Sequence, residues 1–503
     1  MEGIMLQFIS GVSHLGAYQA KSSISPARKT VVIVGGGFAG ASVARFLAER
    51  QDEDLQILVF EPRATLGAGL AYDTEDPALR LNVEANRMIA DAREPLAFAE
   101  WLRQSGALAD DPDAQVECTG SDATQVFARR EAFGRFMAER MAPYLEEGRI
   151  QHIRETVESV TRIGSRWLVT GNFGAWIEAD IVVMAATHPA PKAPRALQSA
   201  LQGHPRFLTN PVAGQSLCGV RATDRVLVVG MGLTAADIVA SLSVRGHRGE
   251  ITAFSRRGMS SRGHTLQPQD WSCSFSEDDC HSVRSLLRAV RRAVADAQAH
   301  GVTWHAVTDA LRKQGQTIWA RFNATERKRL LRHARRLWDV HRYRLPPQAQ
   351  AIWQQRLAEG SLTLASGRMI KIERGIETIA IDLVVASTGL VERKLFDWVV
   401  LATGPDHASV LKSQSMLLTL ESTGHLQADA YGLGIACDET GQAIGIDGRP
   451  QADLFIAGPL ARGTFGELMG VPEVSRQAEL VADRIANAVL ASRSMASHSI
   501  EAR

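Results

Sequence analysis

An α/β chain built on two parallel-sheet units, with a helical insertion, is predicted by three observations. A β-branched run, a glycine turn, an amphipathic helix and a second apolar strand follow one another from Thr30 to Phe60. The same order recurs from Arg225 to Phe254. Later comes an Arg-, Ala-, Leu- and Gln-rich stretch, 282–358, with helical periodicity. Strand, turn, helix and strand in succession begin a parallel sheet, because a parallel neighbour is reached only through a crossover.

Taken in order, residues 1–29 are rich in Ser, Gly and Ala and read as a flexible extension. Thr30–Val34 is a buried parallel strand, Gly40–Arg50 a helix and Leu55–Phe60 the second strand. Asp180–Ala186 is strand-like and runs into the proline-rich His188–Pro194. Arg225–Val229, the helix Ala235–Val244 and Ile251–Phe254 form the second unit, and Trp398–Gly404 precedes Pro405. Proline directly after a buried strand suits a crossing between domains. The expected organisation is one domain from 30–190 with 395–490, and a second from 195–394 that carries the insertion 282–358. A helix is expected over Glu473–Leu490, and 491–503 as a flexible tail.

Composition sets the outer limits. The chain has 503 residues, more than one ordinary domain. With 45% hydrophobic and 22% charged residues it can bury a sizeable core, which excludes a largely disordered protein. The net charge is only +1, yet between His281 and Arg344 there are 15 Lys/Arg against 4 Asp/Glu. No run of 18 apolar residues exists to span a membrane. The first 29 residues lack a charged start followed by a long apolar stretch, so a cytoplasmic protein is expected. Cys118, Cys218, Cys273, Cys280 and Cys437 are too scattered for a disulfide scaffold, and no C-x-x-C pair is present for flavin–disulfide chemistry.

The first motif is Gly35-x-Gly37-x-x-Gly40, with Glu61 at the end of the next strand. The first glycine permits the turn, the second lets a pyrophosphate approach the backbone, and the third lets helix and strand pack closely. The helix N-terminus supplies free N–H groups and a positive dipole end. Glu61 is placed to accept from ribose hydroxyls and disfavours a 2′-phosphate, so this site suits FAD or NAD. The second motif is Gly230-Met-Gly232-Leu233-Thr234-Ala235, followed after its strand by Ser255-Arg256-Arg257 with no acid. Two guanidiniums there suit the 2′-phosphate of NADPH rather than NADH. The fold class expected is therefore α/β with two Rossmann-like dinucleotide-binding domains, for FAD and NADPH, and a helical insertion. Bound FAD with a transient NADPH explains the acid-ended and arginine-ended pair.

Other chemistries find little support. His264, Cys273, Cys280 and His281 match no common zinc spacing, so no metal is expected. No G-x-S-x-G, H-E-x-x-H or phosphate-loop motif is found. The basic helices hold few aromatics and no recognised nucleic-acid module, which favours a helical lid, a positive funnel or a plain solvated face. Trp319, Trp338 and Tyr343 are expected as core anchors of those helices.

These pieces together resemble the FAD/NAD(P)-binding flavoproteins related to class B flavin monooxygenases and amine N-hydroxylases. The resemblance covers about residues 30–485 and rests on Val31–Gly40, Gly67–Tyr72, Leu81–Met88, Val226–Thr234 with Asp237, and Ser255–Gly258 with His264. Trp338–Arg344, Leu401–Pro405, Gly458–Gly463, Glu467, Val471–Glu473 and Gln477–Ala478 complete it. It implies FAD on Gly35, Gly37, Gly40 and Glu61, flanked by Phe38, Ala39, Pro62 and Arg63. Asn82, Met88 and the stretch through Gly458, Pro459, Glu467 and Pro472 would close over the flavin ring. NADPH would lie on Gly230, Gly232, Leu233, Thr234, Ser255, Arg256 and Arg257, with Thr403 and Gly404 at the return crossing. Such enzymes react as a flavin C4a-hydroperoxide formed with O2, and Asn82 is the candidate polar group near it. The implied activity is hydroxylation of an amine or amino-acid nitrogen. A flavin reductase or oxidase without oxygen insertion, and a flavin-binding regulatory or interaction protein, stand as alternatives. Two departures are visible: Thr187 replaces a usual glycine before His188, and the F-x-G-x-x-x-H fingerprint of ketone-oxygenating relatives is missing.

Overall fold

The computed structural model describes residues 28–50, 52, 54–117, 124–211 and 217–501. The expected N-terminal extension therefore lies outside the described residues, except for positions 28 and 29. The first sheet has six strands in the order Gln442–Ile444, Pro450–Ile456, Ile181–Met184, Lys29–Val34, Leu55–Phe60 and Ile150–Ile153. All its pairings are parallel except that of the first two strands. Val31, Val32 and Ile33 are fully buried because helices and strands cover both faces. On one face the helix Phe38–Glu49 packs with the C-terminal helix through Phe46, Ala478, Val481 and Ile485. The other face is covered by Trp167, Leu417 and Leu420.

The second sheet runs Phe207–Leu208, Trp398–Leu401, Val226–Val229, Ile251–Ser255, Leu362–Arg374, Ile379–Val385 and Val391–Phe396. Its first five strands are parallel and its last two close an antiparallel edge. The two sheets repeat one plan: Val31 lies opposite Ile181 in the first, and Val226 opposite Trp398 in the second.

Three expectations are corrected. The return to the first sheet begins after Leu401, not at 395, because Trp398–Leu401 pairs with Val226–Val229 inside the second sheet. The helix Pro347–Ala358 is not part of the insertion. Its Trp353 packs with Ile238 beneath the second sheet, and it provides the crossover between Ile251–Ser255 and Leu362–Arg374. At the C-terminus the helix spans Val471–Glu501, although the apolar pattern stops at Leu490. The sequence reading also missed the antiparallel meander Val157–Ile163, Arg166–Gly171 and Trp176–Ala179.

The helical unit proper comprises Val283–Ala299, Trp304–Lys313, Gly315–Arg321, Ala324–Arg329, a π-helical turn Leu330–Ala334, and Arg335–Arg342. Ser282 and Ser285 form a reciprocal cap at its start. Most of its arginines, among them Arg284, Arg288, Arg291 and Arg336, are exposed, but a minority is turned inward. Arg342 pairs with Glu467 at 3.1 Å with both side chains 5% exposed, and Arg312 pairs with Glu473 at 3.0 Å. Asp309 is gripped by Arg344 and by Arg87 of the first domain, each at 2.8 Å. Trp319 donates to the Gly463 carbonyl at 3.0 Å and is a buried anchor as expected. Trp338 is only half-buried and lines a cavity instead.

The two crossings lie side by side, joined by a bridge between Pro191 and Pro405. His188 on one and His407 on the other meet edge to face, ring centroids 4.8 Å apart. Burial, and then neighbouring positive charge that includes Arg462, holds His188 down at about 4 and His407 at about 3.

Two predictions follow from these contacts. An unfolded histidine binds its proton more readily than these rings do, so their contribution is full above pH 6.5 and is lost as pH falls toward about 4. The melting temperature should drop over that window, and His407→Phe should flatten part of the drop. Arg342→Met leaves Glu467 buried and unpaired, which should cost about 3–5 kcal/mol in chemical denaturation. Adding Glu467→Gln to that variant should recover much of the loss.

Candidate dinucleotide sites

The first turn leaves the sheet where Val34 ends. Gly35 has φ +99, and a Cβ there would stand 2.5 Å from the Ala185 carbonyl oxygen. Gly40 is tighter still, since its Cβ would fall 1.9 Å from the Gly35 oxygen. At Gly37 an added Cβ would meet only the Gly69 Cα, at 3.4 Å, so this backbone face is open to a ligand. The helix Phe38–Glu49 starts at Gly37 with no side-chain cap, leaving its first N–H groups for an anion. Glu61 is 4% exposed at the end of the next strand. It accepts from the Gly36 N–H at 3.0 Å, and from the Arg63 N–H and guanidinium at 3.1 and 2.9 Å. A carboxylate has about four acceptor sites, so capacity remains for a hydroxyl. Pro62 is exposed beside it. A glycine cradle, an uncapped helix start and a buried acid at the strand end fit a dinucleotide without a 2′-phosphate.

The C-terminal segment closes on this turn. Gly458, with φ +70, lies so near Ala39 that its own Cβ would approach the Ala39 methyl to 2.5 Å. Its N–H donates to Gln477 at 2.8 Å, and Pro459 follows half-buried. The Asn82 carbonyl accepts from His264 of the second unit at 3.0 Å. Among the described residues the Asn82 side-chain amide makes no hydrogen bond. Burial first, then the nearby arginines, pushes His264 down to about 3, so it is neutral and can hold that bond as a donor. Phe38 is half-buried against Phe133, and Pro472 sits half-buried in the first turn of the last helix.

Two residues expected near the flavin are held by the protein's own contacts. Met88 is 4% exposed and packs in the cluster of Phe98 and Phe133, so it faces the core. Glu467 is held by Arg342 and docks the helical unit. The sequence showed both partners of that pair but nothing that joined them. Asp237 was likewise visible without its partner; it is buried and pairs with Arg130 of the first domain at 2.7 Å.

The second turn is a looser copy. Gly230 has φ +143, with the Ala402 carbonyl oxygen 2.2 Å from where its Cβ would be, while nothing stands near Gly232. Alanine at 235 is fully buried where the first turn needs Gly40. The helix Leu233–Val244 also starts without a side-chain cap, and Thr234 is half-buried in its first turn. The Ser255 hydroxyl accepts from the Gly258 N–H at 3.0 Å and fixes the turn after the strand. Arg256 and Arg257 are exposed there, and neither has an ion-pair partner among the described residues. This set fits a phosphorylated ribose. Thr403 bonds the Lys192 carbonyl at 3.3 Å and Gly404 turns with φ +75, tying the crossings together. Among the described residues no cluster of metal-ligating side chains is present, and no helix is long and apolar enough to cross a membrane.

Comparison with known proteins agrees with this geometry. Residues 32–189 match the model of an FAD-NAD(P)-binding family. No curated protein sequence matches the chain. Among solved structures, the reduced form of ornithine hydroxylase PvdA from Pseudomonas aeruginosa superposes with a TM-score of 0.58 at 15% identity, over 92% of this chain and 100% of that one. L-lysine 6-monooxygenase from Pseudomonas syringae gives 0.57 at 18% identity, over 92% and 99%. The Kutzneria sp. 744 ornithine N-hydroxylase KtzI, with FADred, NADP+ and L-orn, gives 0.58 at 16%, over 92% and 99%. Residues 32–189 are thus similar to an FAD-NAD(P)-binding family, and the chain shares the fold of these solved structures.

Proposed function

We propose that the chain is an FAD-dependent, NADPH-consuming monooxygenase that hydroxylates the nitrogen of an amine or amino acid. The observation that carries this reading is the asymmetry of the two turns: one ends in a buried carboxylate and the other in two unpaired, exposed guanidiniums. The shared fold with ornithine and lysine hydroxylases supports the choice of nitrogen.

On this reading the backbone at Gly35, Gly37 and Gly40 and the N–H groups of Phe38 and Ala39 hold the FAD pyrophosphate. Glu61 accepts from its ribose hydroxyls, with Pro62 and Arg63 flanking. Gly230, Gly232, Leu233 and Thr234 receive the NADPH pyrophosphate, while Ser255, Arg256 and Arg257 bind its 2′-phosphate. When bound, FAD supplies the redox chemistry, taking a hydride from NADPH and passing electrons to O2. The chain's own part is to hold the two ligands, exclude water and place the substrate. Gly458 and Pro459 cover the first turn, and the half-exposed Asn82 amide is the polar group offered near the reacting centre.

Two measurements test this. Stopped-flow mixing of the NADPH-reduced protein with O2 and a panel of amines and amino acids should give hydroxylamine product matched to NADPH consumed. Hydrogen peroxide without product would instead assign an oxidase or reductase. Arg256→Ala with Arg257→Ala should raise KM for NADPH about tenfold or more and leave that for NADH unchanged, since each lost charged hydrogen bond costs about 1.5–3 kcal/mol.

A further inference from the structure

Between the helical unit and the segment after Gly458 lies a half-open cavity of about 430 Å³. Its walls are mostly aliphatic and aromatic, among them Leu287, Val290, Leu311, Phe322 and Trp338. The π-helical turn lines it with Leu330 and Ala334. Fixed charge enters only through Arg335, Arg462 and Glu467.

These charges do not cancel. Glu467 is taken by Arg342, and Arg335 stands 3.7 Å from Asp339. Arg462 is left over. It is 7% exposed, its Nε donates to the Gly466 carbonyl at 3.3 Å, and no carboxylate lies within ion-pair distance of it among the described residues. Asp339 and Tyr343, which feel its charge, each keep a buried oxygen without a hydrogen-bond partner. A buried guanidinium without a counter-ion is costly, by several kcal/mol. One held against an apolar cavity is a place prepared for an anion, and the planar fork suits a carboxylate.

We infer that this cavity binds an amphipathic monocarboxylate, its apolar body among the helices and its carboxylate on Arg462 with help from Arg335. One unbalanced positive charge calls for a monoanion, and it disfavours a free amine or polyamine. The inference deepens the proposed function and rests on it only for the substrate's nitrogen, which would then belong to an apolar amino acid. Binding itself does not depend on turnover.

Calorimetry on the full-length holoprotein without NADPH, with octanoate, 1-octanol and octylamine as probes, tests it. Octanoate should bind about tenfold or more tighter than octanol, and octylamine weaker than octanol. Arg462→Gln should remove the octanoate advantage and leave octanol unchanged, Arg462→Lys should restore part of it, and Val290→Trp should weaken all three by filling the cavity. If Arg462→Gln does not fold, Arg335→Gln, whose side chain is 35% exposed, should still weaken octanoate selectively. Octylamine binding as well as octanoate, or octanoate binding unchanged in the glutamine variants, would overturn the inference. Peroxide without hydroxylamine in the oxygen assay would sink the monooxygenase reading and leave octanoate binding intact. Failure to bind octanoate would leave N-hydroxylation of other compounds standing.

Discussion

Each glycine turn faces a carbonyl just past the end of a neighbouring strand. The Ala185 oxygen fills the space a side chain on Gly35 would need, and the Ala402 oxygen does the same at Gly230. Both glycines take φ values that L side chains rarely adopt, so the close approach and the turn are one device. The crossing that follows each strand is thereby fixed to the turn beside it. The two turns differ in how tightly the helix is then drawn in. Gly40 has no room for even a methyl group, while Ala235 carries one in full burial. On the proposed reading, the tighter turn holds the resident ligand and the looser one the ligand that exchanges.

The second constraint is electrostatic. Arg312, Arg342 and Arg344 lie mostly buried, each against a carboxylate. Such pairs add little net stability over well-packed apolar residues, because desolvation offsets most of the attraction. Their effect here is positional. Arg342 can be satisfied only where Glu467 stands, and the Trp319 ring occupies the space beside Gly466 that any Cβ would take. Arg312 and Arg342 thus set how the helical unit seats on the C-terminal segment, while most of its other arginines, such as Arg284, Arg288 and Arg291, form an exposed basic face.

The β-branched runs were legible because strands buried on both faces need no alternation to be seen. Val31–Ile33 and Val226–Val229 announced both sheets, and the glycine spacings announced both turns. The meander was not legible. Its inward residues Val157 and Val160 are spaced by three and sit between polar neighbours, Trp167 adjoins the apolar Leu168, and Ile163 and Trp176 are exposed, so neither period stands out. Trp398–Leu401 was visible as a strand, but an apolar run does not say which sheet it joins. Glu467 was named through the resemblance alone, and its partner Arg342 lay 125 residues away. A pair so far apart in the chain is joined only by the fold.

The stretch from Gly458 to Glu467 ties these constraints together. At its start Gly458 presses on Ala39 in the first turn of the helix that faces the first dinucleotide site. At its end Gly466 is pinned by Trp319 and Glu467 by Arg342. Arg462 lies between the two pins, where the 3-10 turn Gly458–Ala461 passes into the helical turn Arg462–Phe465. Both glycines hold positive φ against filled space, so neither end can slide to absorb a movement at the other.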